Sequence, residues 1–118
     1  MPRLRVSKEF SFDAAHRLPS YRGRCERLHG HTWRLCVTVE GPVHDDGMVL
    51  DFGELKRIVD ELVLAALDHS YLNDVIAVPS AENVAIWIWQ RLAAAVPVPL
   101  TSVTVWETPT SHATYSGG

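Results

Sequence analysis

Residues 29–39 read HGHTWRLCVTV, and this stretch decides the fold. Its odd positions carry imidazole or apolar side chains, whereas its even positions carry small, polar or charged ones. Because successive side chains of a strand point to opposite faces of a sheet, this alternation predicts a strand with one buried face. His29 and His31 then share the buried face with Trp33.

An earlier strand is predicted over residues 4–16. Its even positions are mostly apolar and end in His16, while its odd positions are polar or charged. Neighbouring strands joined by a connection of about a dozen residues usually lie side by side, and we expect this pair to be antiparallel. Such a pairing brings His16 close to His29 and His31.

Two helices are predicted in the middle of the chain. The first begins at Asp51, a residue type that suits an N-cap, and ends near Leu67. The second begins at Ser80 as its cap, and prolines stop it at Pro97. Apolar residues at helical spacing give each helix one buried stripe.

Two further strands are predicted over residues 101–108 and 112–116. The element order is therefore strand, strand, helix, helix, strand, strand, without an internal repeat. Two consecutive helices that cover one face of a four-stranded, mainly antiparallel sheet form an α+β arrangement. The 118 residues, 47% of them hydrophobic, fit a single domain over residues 1–118.

Composition excludes several functional classes. The net charge of -3 argues against a nucleic-acid-binding protein, because such proteins usually present a basic face. The chain contains no apolar run typical of a signal peptide or a membrane span, so we expect a cytoplasmic protein that does not bind membranes. We therefore expect Cys25 and Cys36 to be free thiols.

Three histidines, His16, His29 and His31, are candidate ligands of a zinc ion. A catalytic zinc site typically uses three protein ligands and leaves a position for water or substrate. Two ligands at positions i and i+2 of a strand point the same way, and a third from a neighbouring strand completes the set. The alternative is that all three are ordinary polar residues at strand ends.

Cys25 lies four residues before His29, in a loop that also carries arginines. Nearby cationic groups, including a possible divalent metal, favour the thiolate over the thiol. A thiolate at this place can remove a proton from a carbon atom beside a metal-polarised oxygen. The alternative is that Cys25 is a small buried hydrophobic residue.

Two acidic positions are further candidates. Asp68 precedes His69, and a carboxylate next to an imidazole can set its tautomer, although a helix-terminating turn explains this pair as well. Glu107 is predicted on the buried face of its strand and therefore needs a partner. That partner is either an arginine or a ligand that presents a fork of N–H donors.

Together these motifs resemble the 6-pyruvoyltetrahydropterin synthase family, and most closely its bacterial branch that forms 6-carboxy-5,6,7,8-tetrahydropterin in queuosine biosynthesis. The resemblance runs through nearly the whole chain, in the ordered segments FDAAHRL (12–18), CERLHGH (25–31), DFGELK (51–56), LDHSYLN (67–73), PSAEN (79–83) and ET (107–108). It implies the tunnelling fold, in which subunits join their sheet edges into a barrel. The assembly is commonly a homo-hexamer with active sites between subunits.

The resemblance also implies a role for each candidate residue. In relatives, one segment near the second helix contributes to pterin binding, and Ser80 falls in that segment. The implied zinc ligands are His16, His29 and His31. The implied catalytic thiol is Cys25, and the implied partners that complete a proton-transfer triad are Asp68 and His69. The implied pterin anchor is Glu107.

The implied activity is that of a lyase acting on 7,8-dihydroneopterin triphosphate, with release of triphosphate and acetaldehyde. The short Cys-x3-His-x-His spacing favours the carboxy branch over the pyruvoyl branch. Glu26, next to Cys25, leaves the chemistry of a hydroxymethylpterin-forming branch open. A non-catalytic zinc- or pterin-binding module on the same fold is the alternative from another functional class.

Overall fold

The computed structural model describes residues 2–18 and 27–118, and its centre is a long antiparallel pair of strands. β1 spans Arg3–His16 and β2 spans His29–Pro42. The register places the last residue of β1 opposite the first residue of β2. Both predicted strands are confirmed, and their pairing brings the candidate ligands to one end of the sheet.

Three more strands complete the sheet. β3 spans Ser70–Tyr71, β4 spans Leu100–Thr108 and β5 spans Ser111–Tyr115. The strand order is β3-β1-β2-β4-β5, and β3 pairs parallel with the end of β1. The expectation of four strands was therefore wrong by one, because a strand of two residues is too short to show a period in the sequence.

The first helical segment begins at Asp51, whose carboxylate accepts a hydrogen bond from the backbone N–H of Gly53 at 3.0 Å. α1 spans Phe52–Val59, a π-helical turn spans Asp60–Leu64, and α2 spans Ala65–Leu67. The predicted start and end of this segment are confirmed. The π-helical turn inside it was not predicted.

The second helix, α3, spans Ala81–Leu92. It begins at Ser80, whose hydroxyl accepts a hydrogen bond from the backbone N–H of Asn83 at 3.1 Å. This confirms the predicted cap. None of the helices in the described part of the chain is both long and apolar enough to span a membrane.

The helices pack on one face of the sheet, which we call the helix-covered face. The core between the two layers is apolar and includes Phe12, Trp33, Leu35, Leu55, Leu67, Ile88 and Leu92. The opposite face, called the open face below, carries the exposed odd-numbered residues of β1 and the even-numbered residues of β2. The predicted α+β class is therefore confirmed.

Candidate metal centre and proton-transfer site

Three imidazoles meet on the helix-covered face where β1 ends and β2 begins. The ring centroids of His16 and His29 are 4.5 Å apart, and those of His29 and His31 are 4.6 Å apart. They meet because the register places His16 opposite His29, and the period of two returns His31 to the same face. One ligand nitrogen from each ring lies within 4.8 Å of the others. We call this group the histidine tripod.

Two backbone carbonyls determine which nitrogen of each ring faces the centre of the tripod. Nδ1 of His16 lies 2.7 Å from the carbonyl oxygen of Pro79, and Nδ1 of His29 lies 2.7 Å from that of Arg27. Because a carbonyl oxygen only accepts, each Nδ1 carries the proton. In neutral rings the two Nε2 atoms, 3.0 Å apart, then direct lone pairs at each other. A cation bound between them removes this repulsion.

His31 adds a third nitrogen to the same centre. Its Nε2 is buried and has no hydrogen-bond partner among the described residues. Burial lowers the pKa of His31; the carboxylate of Glu107 opposes this shift, and the His29 and His16 rings add to it. A neutral imidazole is the form that binds a metal ion. The donor set of the tripod therefore fits zinc.

Trp33 forms an apolar wall beside the tripod. Its side chain is fully buried, and its ring centroid lies 5.0 Å from that of His16 and 5.8 Å from that of His31. The indole N–H donates to the carbonyl of Ala14 at 3.2 Å, which fixes the ring in the core. The histidine rings are thus held by packing as well as by hydrogen bonds.

Glu107 lies beside the tripod on the helix-covered side. Its Oε1 is 3.3 Å from Nε2 of His16, so the carboxylate lies against a ring of the tripod. The register between β4 and β5 shifts between Trp106 and Thr108. Such an irregularity re-aims a side chain and is common beside functional sites. Sequence analysis identified Glu107 as needing a partner but did not identify His16.

A cavity of about 380 Å³ adjoins the tripod. Both Ser80 and Glu107 line it, together with the start of α3 and residues of β5. Its size falls in the range of pockets that bind small molecules. Because Glu107 also contacts His16, a flat ligand in the cavity would reach the tripod with a short side chain.

A second cluster forms at the other side of β1. Nδ1 of His69 lies 3.0 Å from Oδ1 of Asp68, and the side chain of His69 is 79% exposed. The backbone N–H of Asp13 donates to the same carboxylate oxygen at 3.0 Å. This bond is the main reason why the pKa of Asp68 is lowered. Asp68 therefore stays ionised at neutral pH, and its suggested role in setting the tautomer of His69 stays a prediction.

His69 has a strained backbone, with a φ of 57°. The left-handed conformation costs a non-glycine residue about 1–2 kcal/mol. It is held by the N–H of His69, which donates to the carbonyl of Asp13 at 2.6 Å, and by the pairing of Ser70 with β1. Strain of this kind is typical of functional sites. The sequence predicted a turn here but not this conformation.

The tripod and the second cluster lie on opposite faces of the sheet. Asp13 pairs with Thr32, whereas Ala14 pairs with His31, and adjacent residues of a strand point to opposite faces. The hydroxyl of Thr32 donates to Oδ1 of Asp13 at 2.5 Å on the open face. One chain thus brings together its three candidate ligands, while His69 groups with Asp13 and Asp68 and not with the tripod.

Other sequence-based predictions concern residues outside or apart from these clusters. Cys25 and Glu26 lie outside the described residues. Their suggested roles stay predictions. Cys36 carries a free thiol, as expected, and is partly buried.

Residues 5–118 match the family described as 6-pyruvoyl tetrahydropterin synthase. The chain belongs to this family. A Synechocystis protein named 6-carboxy-5,6,7,8-tetrahydropterin synthase is 46% identical to this family member over 117 residues, which cover 93% of this chain and 91% of the relative. A Pyrococcus furiosus protein named dihydroneopterin monophosphate aldolase is 41% identical over 107 residues, with coverage of 89% and 90%.

The solved structure of Caenorhabditis elegans 6-pyruvoyl tetrahydropterin synthase is similar to this chain throughout. The TM-score is 0.91 at 33% sequence identity, and the match covers 100% of this chain and 98% of the other. The fold predicted from the family resemblance is therefore confirmed for the single chain, and the assembly of subunits into a barrel stays a prediction.

Proposed function

We propose that the chain is a lyase that converts 7,8-dihydroneopterin triphosphate into 6-carboxy-5,6,7,8-tetrahydropterin and releases triphosphate and acetaldehyde. The observation that carries this proposal is the tripod, in which two Nε2 atoms lie 3.0 Å apart and a third is buried without a partner among the described residues. The identity to a carboxytetrahydropterin synthase across most of the chain supports the choice of product. The product would enter queuosine biosynthesis in the cytoplasm, and residues 1–118 would form one catalytic domain.

In this proposal His16, His29 and His31 hold zinc. When bound, the metal would polarise side-chain oxygens of the substrate and so would make the adjacent C–H bond more acidic. The carbonyls of Pro79 and Arg27 keep the ligand nitrogens of two rings directed at the centre. Orientation of ligands by such hydrogen bonds typically contributes ten- to hundredfold to metal affinity.

The cavity beside the tripod would hold the pterin ring. Its guanidine-like edge presents parallel N–H donors, and the carboxylate of Glu107 accepts such a fork well. Ser80 lines the same cavity at the start of α3. With the ring bound there, the side chain of the substrate lies over the histidines.

Proton transfer would use Cys25 on one face of the substrate and His69, fixed by Asp68, on the other. Since His69 lies on the open face and the tripod on the helix-covered face, a second copy of the chain must supply one of them. We therefore propose that the protein works as a homo-oligomer, such as a homo-hexamer, with the site between copies.

The decisive experiment supplies zinc-loaded protein with 7,8-dihydroneopterin triphosphate and identifies the products by mass spectrometry and an acetaldehyde assay. Carboxytetrahydropterin with an equal amount of acetaldehyde is the expected result. A pyruvoyl product would move the protein to that sister branch. Absence of any pterin product from protein with bound zinc would contradict the enzyme proposal.

One specific alternative is favoured by the aldolase relative and by Glu26 next to Cys25. A hydroxymethylpterin-forming enzyme would release a two-carbon aldehyde that still carries the phosphate ester, instead of acetaldehyde and free triphosphate, so the same product analysis separates the two. A non-catalytic zinc- or pterin-binding module would gain stability from zinc or bind the ring without turnover. Comparison of Cys25→Ala with the unchanged protein tests this, because a binding module has no activity for the variant to lose.

A further inference from the structure

We propose that Asp13 is a positioning residue of the proton-transfer site, so that two carboxylates, and not Asp68 alone, control His69. This inference rests on the proposed function, in which His69 moves a proton of the substrate. Asp13 is the second residue of the FDAAHRL segment. It lies on the open face, three residues before the proposed metal ligand His16.

The backbone of Asp13 determines where both members of the Asp68-His69 pair lie. Its N–H donates to Oδ1 of Asp68 at 3.0 Å, and its carbonyl accepts from the N–H of His69 at 2.6 Å. These two bonds hold His69 in its left-handed conformation. The position of the imidazole is therefore set by one residue of β1 that lies 56 residues earlier in the chain.

The side chain of Asp13 is held beside the same pair. Thr32, directly opposite on β2, donates its hydroxyl to Oδ1 of Asp13 at 2.5 Å. An ionised carboxylate has about four lone-pair sites, so one bond to Thr32 leaves acceptor capacity on Asp13. One oxygen of Asp13, one oxygen of Asp68 and a ring nitrogen of His69 lie within 4.8 Å of one another.

This geometry places two carboxylates beside the ring at the moment when it holds the proton of the substrate. Two carboxylates at such a distance repel each other, and an imidazolium beside both of them relieves the repulsion. Within the described residues, Asp68 and Asp13 are the carboxylates grouped with His69. Because all three side chains are exposed, water screens the interaction and the expected effect is moderate.

The test compares Asp13→Asn with Glu9→Gln in zinc-loaded protein. Asparagine keeps the shape of Asp13, its backbone bonds and an oxygen that accepts from Thr32, and it removes only the charge. Glu9 is the matched control because it lies on the same strand and face and pairs with Arg34 at 3.5 Å, away from the cluster. We expect Asp13→Asn to lower kcat about three- to tenfold with little change in KM, and Glu9→Gln to leave both unchanged.

Two further variants separate a charge effect from a packing effect. Asp13→Glu retains the charge and should recover part of the lost kcat. Thr32→Val removes the hydroxyl that orients Asp13 and should lower kcat by a smaller factor than Asp13→Asn. Equal losses in Asp13→Glu and Asp13→Asn would show that only the shape of the side chain matters and would overturn the proposal.

A measurement that does not need turnover tests the role of Asp13 independently of the proposed reaction. The 15N shifts of the His69 ring, measured at one near-neutral pH, report the fraction of rings whose proton is on Nδ1, the nitrogen that faces Asp68. We expect this fraction to fall in Asp13→Asn and not in Glu9→Gln. An identical ring signal in all three proteins would overturn the role of Asp13 even if product forms. If the unchanged protein forms no product, the proposed reaction fails while the ring signal still decides the role of Asp13.

Discussion

The tripod and the Asp13-Asp68-His69 cluster both lie where β1 ends and β2 begins, but they are held in place in different ways. His16 is fully buried, and carbonyl groups fix two tripod rings through their side-chain nitrogens. His69 is 79% exposed, and mainly its backbone is fixed. A metal centre needs ligands that are arranged before the metal binds, whereas a proton carrier must be accessible to a substrate. The difference supports the proposal that the first site is complete in one chain and that the second is presented to another copy.

The largest effect is expected when the tripod loses a ligand. His29→Ala should weaken zinc binding by on the order of a hundredfold or more, because two nitrogens remain where a catalytic site uses three. Competition with a chromophoric chelator measures the affinity. His44→Ala is the control, since His44 lies in a turn outside both clusters. Undiminished zinc affinity in His29→Ala would show that the tripod is not the metal site.

The next prediction tests whether the two clusters act across copies. His29→Ala and His69→Ala should each be nearly inactive as pure proteins. When the two are unfolded and refolded together in equal amounts, random mixing gives about a quarter of the sites an intact tripod and an intact His69. Steady-state turnover should therefore recover to about a quarter of the unchanged value.

The control for this prediction mixes the same two variants without unfolding, so that copies do not exchange. A refolded mixture that stays as inactive as the separate variants would contradict a site shared between copies. It would also mean that the tripod and the Asp13-Asp68-His69 cluster do not act across different copies.

The third prediction compares two helix caps that differ in their distance from the metal. Ser80→Ala and Asp51→Ala each remove a side-chain hydrogen bond from a helix start and should each lower the free energy of unfolding by about 1 kcal/mol. Ser80 follows Pro79, whose carbonyl fixes His16, so only Ser80→Ala should also weaken zinc binding. Urea unfolding and the chelator assay measure the two effects. Equal zinc affinity in both variants would show that the cap does not orient His16.

The smallest effect concerns acid stability at the exposed cluster. The pKa of Asp68 is lowered in the folded protein, chiefly by the backbone N–H of Asp13. Below about pH 4, where an ordinary aspartate begins to protonate, the unfolded chain therefore binds more protons than the folded one. Stability should fall as pH drops through this window to the folded pKa, and less steeply in Asp68→Asn. Superimposable stability curves for both proteins between pH 5 and about pH 2 would contradict this.

The sequence predicted the elements that depend on a local period or a local cap. The alternation in residues 29–39 defined β2, and Asp51 and Ser80 marked the helix starts correctly. The meeting of the three histidines followed from the same alternation, together with antiparallel pairing. These features were predictable because neighbouring residues determine them.

Other features depend on contacts between distant segments and leave no local pattern. β3 exists only because two residues after α2 pair with the end of β1. The face on which His69 lies depends on its bonds to Asp13, 56 residues earlier. The contact of Glu107 with His16 joins β4 to the end of β1, beside a register shift in the last two strands. The opposite faces of the two clusters were therefore not evident from the sequence.

X-ray diffraction from crystals of the zinc-loaded protein, recorded on both sides of the zinc absorption edge, tests the central claim most directly. The account predicts one anomalous peak per chain, bounded by His16, His29 and His31, with His69 of a second copy facing it. A peak at the Asp13-Asp68-His69 cluster with none at the tripod, or no zinc peak in crystals of protein that contains one equivalent of zinc, would contradict it.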